Sequence, residues 1–144
     1  MKARSERIIL IGDPIQSEGK AGAALKPGHI VEFVGADSNV QPQSTAQKNT
    51  LLRIATANIF TGKSIEDAYA VGENVYFSAL RPGDEAQARI PAAAPAIVRG
   101  DQLELSGDGT LRKLTSGGVA VAEATEAVDN SAGAEEAFIN IQAI

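Results

Sequence analysis

The sequence predicts a mainly β fold, a small antiparallel β domain, and three observations predict it. The first is a recurring turn phrase. It appears as Leu25-Lys-Pro-Gly-His-Ile-Val-Glu-Phe33, Val71-Gly-Glu-Asn-Val-Tyr-Phe77, Leu80-Arg-Pro-Gly-Asp-Glu85 and Val98-Arg-Gly-Asp-Gln-Leu-Glu-Leu105. In each, Gly supplies a positive-φ position, often behind a Pro or Arg, and a period-two pattern follows. The second is composition: 44% of residues are apolar, yet only 4% are aromatic and there is no Trp. Such a core is thin, built from Ile, Val, Leu and Ala, and suits paired strands that borrow stability from partners. The third is the closing segment Phe138–Ile144, which reads as a terminal strand with Ile139, Ile141 and Ala143 on one face.

The elements follow in order. Residues 1–24 carry one apolar run, Ile8-Ile-Leu-Ile11, and then Gly12, Pro14, Gly19 and Gly22. They read as an extended arm with one strand at Arg7–Ile11. Residues 25–34 form the first clear strand, and residues 35–50 are a long polar loop. Leu51–Phe60 reads as a strand. Ser64, with Asp67 three residues on, is an N-cap for one or two helical turns that Gly72 stops. Asn74–Leu80 and Glu85–Ile90 form a hairpin around Arg81-Pro-Gly-Asp84. Gln102–Leu105 and Thr110–Leu114 form another across Ser106-Gly-Asp-Gly109. Val119–Val128 has the composition of a helix but the valines and flanking glycines of a strand, and strand is preferred. Phe138–Ile144 closes the fold. Phe138 and Ile144 share one face, Ile139 and Ile141 the other, so this strand belongs inside a sheet.

Composition narrows function. At 144 residues the chain is one domain. It has no Cys, so disulfides and thiolate metal sites are excluded. The net charge is −5, with acids and bases interspersed and no basic stripe, which argues against nucleic acid. No apolar run is long enough to span a membrane. The four-residue run after Met1–Arg7 is too short for a signal peptide.

The chemical motifs are weak. Ala57-Asn-Ile-Phe-Thr-Gly-Lys-Ser64 matches a loosened phosphate-binding loop. It places Ile and Phe where a backbone cradle needs Gly, and it precedes no long helix. A turn at Thr61-Gly62 is the better reading. His29 is the only histidine. It cannot build a multi-His metal site, and no nucleophile elbow accompanies it, so it reads as a structural residue facing a turn. The acids Asp84/Glu85, Asp101/Glu104, Glu123/Glu126/Asp129 and Glu135/Glu136 read as solvated turn and edge charges that discourage sheet-to-sheet pairing. Enzyme activity, cofactor and metal are not expected.

Three segments together resemble one family: Thr61–Phe77, Leu80–Glu85 and Gly100–Lys113, with the tail Ala122–Gly133 and a closing strand. They are similar to the small capsid cement, or decoration, proteins of tailed bacteriophages, over about residues 51–144. The resemblance implies a small antiparallel β-barrel or β-tulip-like domain at residues 25–144, with an extended arm at residues 1–24 and at most one or two short helices. It implies a structural virion protein made in the bacterial host cytoplasm. Such a protein lies on the capsid exterior and bridges neighbouring major capsid protein subunits, as a homo-oligomer (trimer or dimer). The alternative is a non-catalytic binding module for carbohydrate or surface adhesion. The candidate capsid or subunit contacts are Arg4, Arg7, Ile8, Ile9 and Ile11 in the arm, and Phe138 and Ile144 in the closing strand. On this reading, deleting residues 1–11 leaves a folded domain that binds capsids poorly.

Overall fold

The computed structural model describes residues 4–144. They form eleven strands: β1 (Ile9–Ile11), β2 (Ile15–Ala21), β3 (Val31–Val34), β4 (Asn39–Pro42), β5 (Arg53–Ala55), β6 (Asn74–Ala79), β7 (Glu85–Ile90), β8 (Gln102–Leu105), β9 (Leu111–Lys113), β10 (Ala122–Ala124) and β11 (Ala137–Ala143). One 3-10 turn spans Ile59–Thr61. The fold is mainly β, as the turn phrases predict.

The strands make two sheets. The larger runs β1-β7-β11-β10-β8-β9, all antiparallel; the smaller runs β3-β4-β2-β6-β5. Within the smaller sheet only β2 and β4 pair in parallel. The smaller sheet curls until its edges meet, because Ile30, just ahead of β3, bridges Ile54 in β5. That contact is a lone bridge, so among the described residues neither sheet closes into a barrel.

The Ala-rich composition is visible in the core. The inner face of the larger sheet presents Ala86, Ala88 and Ile90 from β7, Ile139 and Ile141 from β11, and Ala122 and Ala124 from β10. Leu103, Leu105 and Leu111 complete it. Small side chains on adjacent strands leave room for Ile54, Leu52 and Leu80 to reach in from the smaller sheet. A second cluster fills the curl of the smaller sheet: Ala21, Val31, Val40, Ala55, Val75 and Phe77, capped by Leu25 and Tyr69.

The terminal strand behaves as expected. β11 lies between β7 and β10, with Ile139 opposite Ala88 and Ile141 opposite Ala86. The β8–β9 hairpin also forms as expected, pairing Leu105 with Leu111.

Several expectations are corrected. Residues 1–24 are no free arm. β1 is an edge strand on β7, and β2 is an interior strand between β4 and β6. The polar stretch 35–50 contains β4, held between β3 and β2. The strands expected at 51–60 and 119–128 shrink to three residues each.

β6 and β7 are not a hairpin: they belong to different sheets. The reason lies in Arg81-Pro-Gly-Asp84. Pro before Gly, with Gly83 at φ 95°, makes a type II turn, whose twist splays flanking strands instead of pairing them. β1 and β2 also lie in different sheets, across Gly12-Asp13-Pro14. Asp84 ties the two crossovers together. Its carboxylate accepts the Arg81 N–H at 2.8 Å and the Asp13 N–H at 3.3 Å.

The capped helix at 64–70 does not form either. Ser64 and Asp67 do bond reciprocally: the Ser64 N–H donates to the Asp67 carboxylate at 2.7 Å, and the Asp67 N–H to the Ser64 carbonyl at 3.1 Å. Tyr69 then exchanges backbone bonds with Leu25, and its hydroxyl donates to the Thr56 carbonyl at 2.6 Å. These tertiary bonds outweigh a single helical turn, which costs nucleation and gains few bonds.

The structure reverses the expected effect of an N-terminal deletion. Removing residues 1–11 takes Ile8 from the main core and strips β1 from β7. The expected result is loss of a cooperative thermal transition by circular dichroism. A deletion variant that melts within a few degrees of the parent would contradict this placement.

Candidate interaction surface

The residues expected to make contacts separate into two groups. Arg4 is engaged inside the molecule. Its guanidinium donates to Glu126 at 2.8 and 3.3 Å, to the Asn140 side-chain carbonyl at 3.0 Å and to that of Gln87 at 3.1 Å. Glu126 in turn accepts the Asn140 backbone N–H at 2.7 Å. Gln87, fully buried, donates its amide to the carbonyls of Ser5 and Arg7. Gln87 and Asn140 are cross-strand partners. The N-terminal segment is therefore strapped over the polar outer face of the larger sheet.

Ile8 is buried in the core, and Ile9 packs against it. Phe138 is buried, with the Arg89 guanidinium 4.3 Å from its ring centre. Ile8 and Phe138 are thus corrected from contact candidates to core residues, while Arg4 is exposed but engaged within the molecule. Arg7, Ile11 and Ile144 remain exposed.

The most exposed apolar residues are ones the sequence reading placed in a false phosphate loop. Ile59 is 74% and Phe60 77% exposed on the 3-10 turn, none of whose residues is buried. Gly62, at φ 72°, ends that turn, with its N–H donating to the Ile59 carbonyl. Phe60 leans on Tyr76, with ring centroids 5.1 Å apart and planes tilted by 49°. Beside them runs an open groove of about 260 Å³, between the Glu6–Ile9 segment and the 3-10 turn. Its floor comes from Gln16, Ser17, Tyr76 and Ser78. A sequence signal existed: two large apolar residues in a turn that needs neither. A second exposed group lies on the curled sheet, where Phe33 meets Phe77 edge-on at 6.0 Å and carries Arg53 4.9 Å from its ring centre.

Two buried charges, Arg89 and Glu104, and the half-buried Glu136 support this scaffold; the two acids are expected on the surface from sequence, and Arg89 draws no sequence expectation. Arg89 donates to the carbonyls of Pro27 at 2.7 Å and Ile65 at 3.1 Å, and lies 3.7 Å from Glu136. Burial lowers its pKa, opposed by the charges of Glu136 and Glu66. Glu104 is fully buried. Burial opposes its charge, but the Thr115 N–H at 2.6 Å, the Arg112 guanidinium at 2.9 Å and the Thr115 hydroxyl outweigh it and lower its pKa. Glu136 is similar: burial raises its pKa, but the His29 hydrogen bond and the charges of His29, Arg89 and Lys26 outweigh burial and leave it lowered.

Acid stability follows with a definite sign. Both carboxyls have folded pKa values below the ordinary 4.5. Their contribution is complete above that value and is lost as pH falls through the lowered folded values. The denaturant midpoint is expected to drop between about pH 4.5 and pH 2, and Glu104→Gln to flatten part of that drop. A midpoint insensitive to acid would contradict these bonds.

Among the described residues, no group of three His, Cys, Asp or Glu side chains is placed to hold a metal ion. Among the described residues, no helix is long and apolar enough to cross a membrane.

Comparison with known proteins adds one finding. No family model and no curated protein matches the sequence. A solved structure does match: the crystal structure of the head fiber gp8.5 N base in bacteriophage phi29. The chain shares that fold. The superposition has a TM-score of 0.58 and covers 90% of this chain and 93% of the phage one. Sequence identity is 14%, so the likeness lies in the arrangement of strands. The two-sheet plan with its crossovers accommodates very different side chains, because it depends on turn positions and alternation more than on particular core residues.

Proposed function

We propose that this chain is a structural protein of a phage virion. The observation that carries the reading is the near end-to-end fold shared with a phage head-fiber base. In this reading the protein is not an enzyme and needs no cofactor. It sits on the capsid exterior as a homo-oligomer, bridges neighbouring major capsid protein subunits, and binds neither nucleic acid nor membrane. The contact surface is the exposed Ile59–Phe60 turn and its groove, with Arg7, Ile11 and Ile144 as further contacts. The turn's backbone is already closed by the Gly62 N–H to the Ile59 carbonyl and the Lys63 N–H to the Asn58 carbonyl, which limits the backbone entropy lost on binding. Each contact is small, but many copies on one shell act together.

The test pairs Ile59→Ser with Phe60→Ser. Removing two exposed side chains should leave the melting temperature unchanged within about 2 °C. Sedimentation with capsids should fall at least about tenfold, the loss of roughly 1.4 kcal/mol or more expected when anchor side chains are truncated. Full capsid binding by the double variant would move the interface elsewhere. No co-sedimentation by the parent chain would remove the capsid reading.

A second reading, adhesion to carbohydrate, is favoured by one observation. Phe60 and Tyr76 lie beside the hydrogen-bonding side chains of Gln16 and Ser17 in the same groove, a combination that suits sugar rings.

A further inference from the structure

The only histidine lies at the seam between the two sheets, and both its ring nitrogens are occupied. Nδ1 accepts the Lys26 backbone N–H at 3.0 Å. Nε2 meets Glu136 at 2.9 and 3.1 Å. A nitrogen that accepts an N–H carries no proton, so the neutral ring is protonated at Nε2 and donates to the carboxylate. The ring is buried. A second proton can enter only at Nδ1, and a proton there points at the Lys26 N–H.

That turn is the seam. The Gly28 N–H donates to the Ala55 carbonyl in β5, and the Ala55 N–H donates back to the His29 carbonyl. The Gly28 carbonyl accepts the Arg89 N–H from β7, and the Pro27 carbonyl accepts the Arg89 side chain. The Ile30 N–H donates to the Gly109 carbonyl in the β8–β9 turn. One short segment thus joins β5, β7 and the β8–β9 turn.

We propose that His29 is an acid-sensitive latch: taking up a proton at Nδ1 expels the Lys26 amide and loosens the seam between the sheets. The charged groups that face it are Glu136, just ahead of β11, Arg89 on β7 and Lys26 on the turn itself. Glu66 lies 3.9 Å from Arg89 and is exposed. Asp108, in the β8–β9 turn, is taken up by the Thr110 N–H and hydroxyl. Arg53 on β5 faces Phe33 on the curled sheet. Glu136 can hold a charged ring, but it cannot supply the Lys26 N–H with a new acceptor, so protonation and opening of the turn are coupled.

Amide hydrogen exchange by NMR tests this on the full chain, from about pH 7.5 to about pH 5.5. After correction for intrinsic rates, exchange at Gly28, Ala55 and Arg89 should rise about tenfold relative to Val121 and Ala124 in the larger sheet. The neutral ring should show the Nε2–H tautomer in its nitrogen shifts. His29→Asn keeps an acceptor near Lys26 and cannot be protonated, so its ratio should stay flat. A flat ratio in the parent, the Nδ1–H tautomer, or the same acid response in His29→Asn would each overturn the proposal. Should His29→Asn fail to fold, the tautomer and the parent's exchange ratio decide it.

Discussion

Gly28→Ala is expected to destabilise the protein by about 3 kcal/mol or more, a large part of the 5–15 kcal/mol that holds a domain together. Two effects add. Gly28 sits at φ 90°, where an L side chain costs about 1–2 kcal/mol. A Cβ there would also lie 2.8 Å from the Phe138 ring and 3.1 Å from the Arg89 side chain. Neither neighbour is free to move, because Phe138 is buried beneath the Arg89 guanidinium and Arg89 holds two carbonyls. Gly35→Ala is the control. Gly35 is also at positive φ, 74°, but a Cβ there meets nothing within 4 Å. The difference between the two variants in denaturant unfolding isolates the clash. Equal losses would show that residues 27–29 yield to accommodate the methyl, and that the seam is softer than its hydrogen bonds suggest.

Ile139→Asp should leave the chain unfolded or insoluble. Ile139 is fully buried, opposite Ala88 on an interior strand. An aspartate there has no cation in the core cluster around it, whose members are all apolar. An unpaired buried charge costs several kcal/mol, and the lost apolar burial adds about 2 more. Gln142→Lys, on the exposed face of the same strand between Glu85 and Glu123, should be neutral or slightly stabilising. A soluble Ile139→Asp variant with a cooperative melt near the parent's would show that β11 is misplaced.

These variants also show what was legible beforehand. The terminal strand could be read because Ile139, Ile141 and Ala143 alternate with Asn140 and Gln142, and Phe138 and Ile144 add apolar ends to the other face, which favours a covered position. The β8–β9 hairpin could be read because its Gly-Asp-Gly turn and its flanking alternation agree. The interaction surface was only half legible. Ile8-Ile-Leu-Ile11 looked like a sticky arm, yet Ile8 and Ile9 face the core and only Ile11 is bare. Arg4 looked free because its partners, Glu126, Asn140 and Gln87, are more than 80 residues away in sequence. Phe60 was hidden inside a motif tested only for phosphate chemistry.

Local chemistry alone determined the β class, the positions of most turns, the thin Ala-rich core and the absence of thiol chemistry, because each depends on residues within a few positions of one another. Tertiary structure decided which strands share a sheet. The chain leaves the larger sheet after β1 and returns at β7, and β1 then pairs with β7 across the whole smaller sheet. Nothing local encodes that pairing. A turn states only that the chain reverses; which neighbour a strand takes depends on the apolar face that distant segments can offer it. The same holds for Gln87, Arg89 and Glu104. Each is a polar residue on the outward-facing side of a strand; Gln87 and Arg89 are buried because remote segments fold over them, and Glu104 because the chain just past its own hairpin turns back and meets its hydrogen bonds.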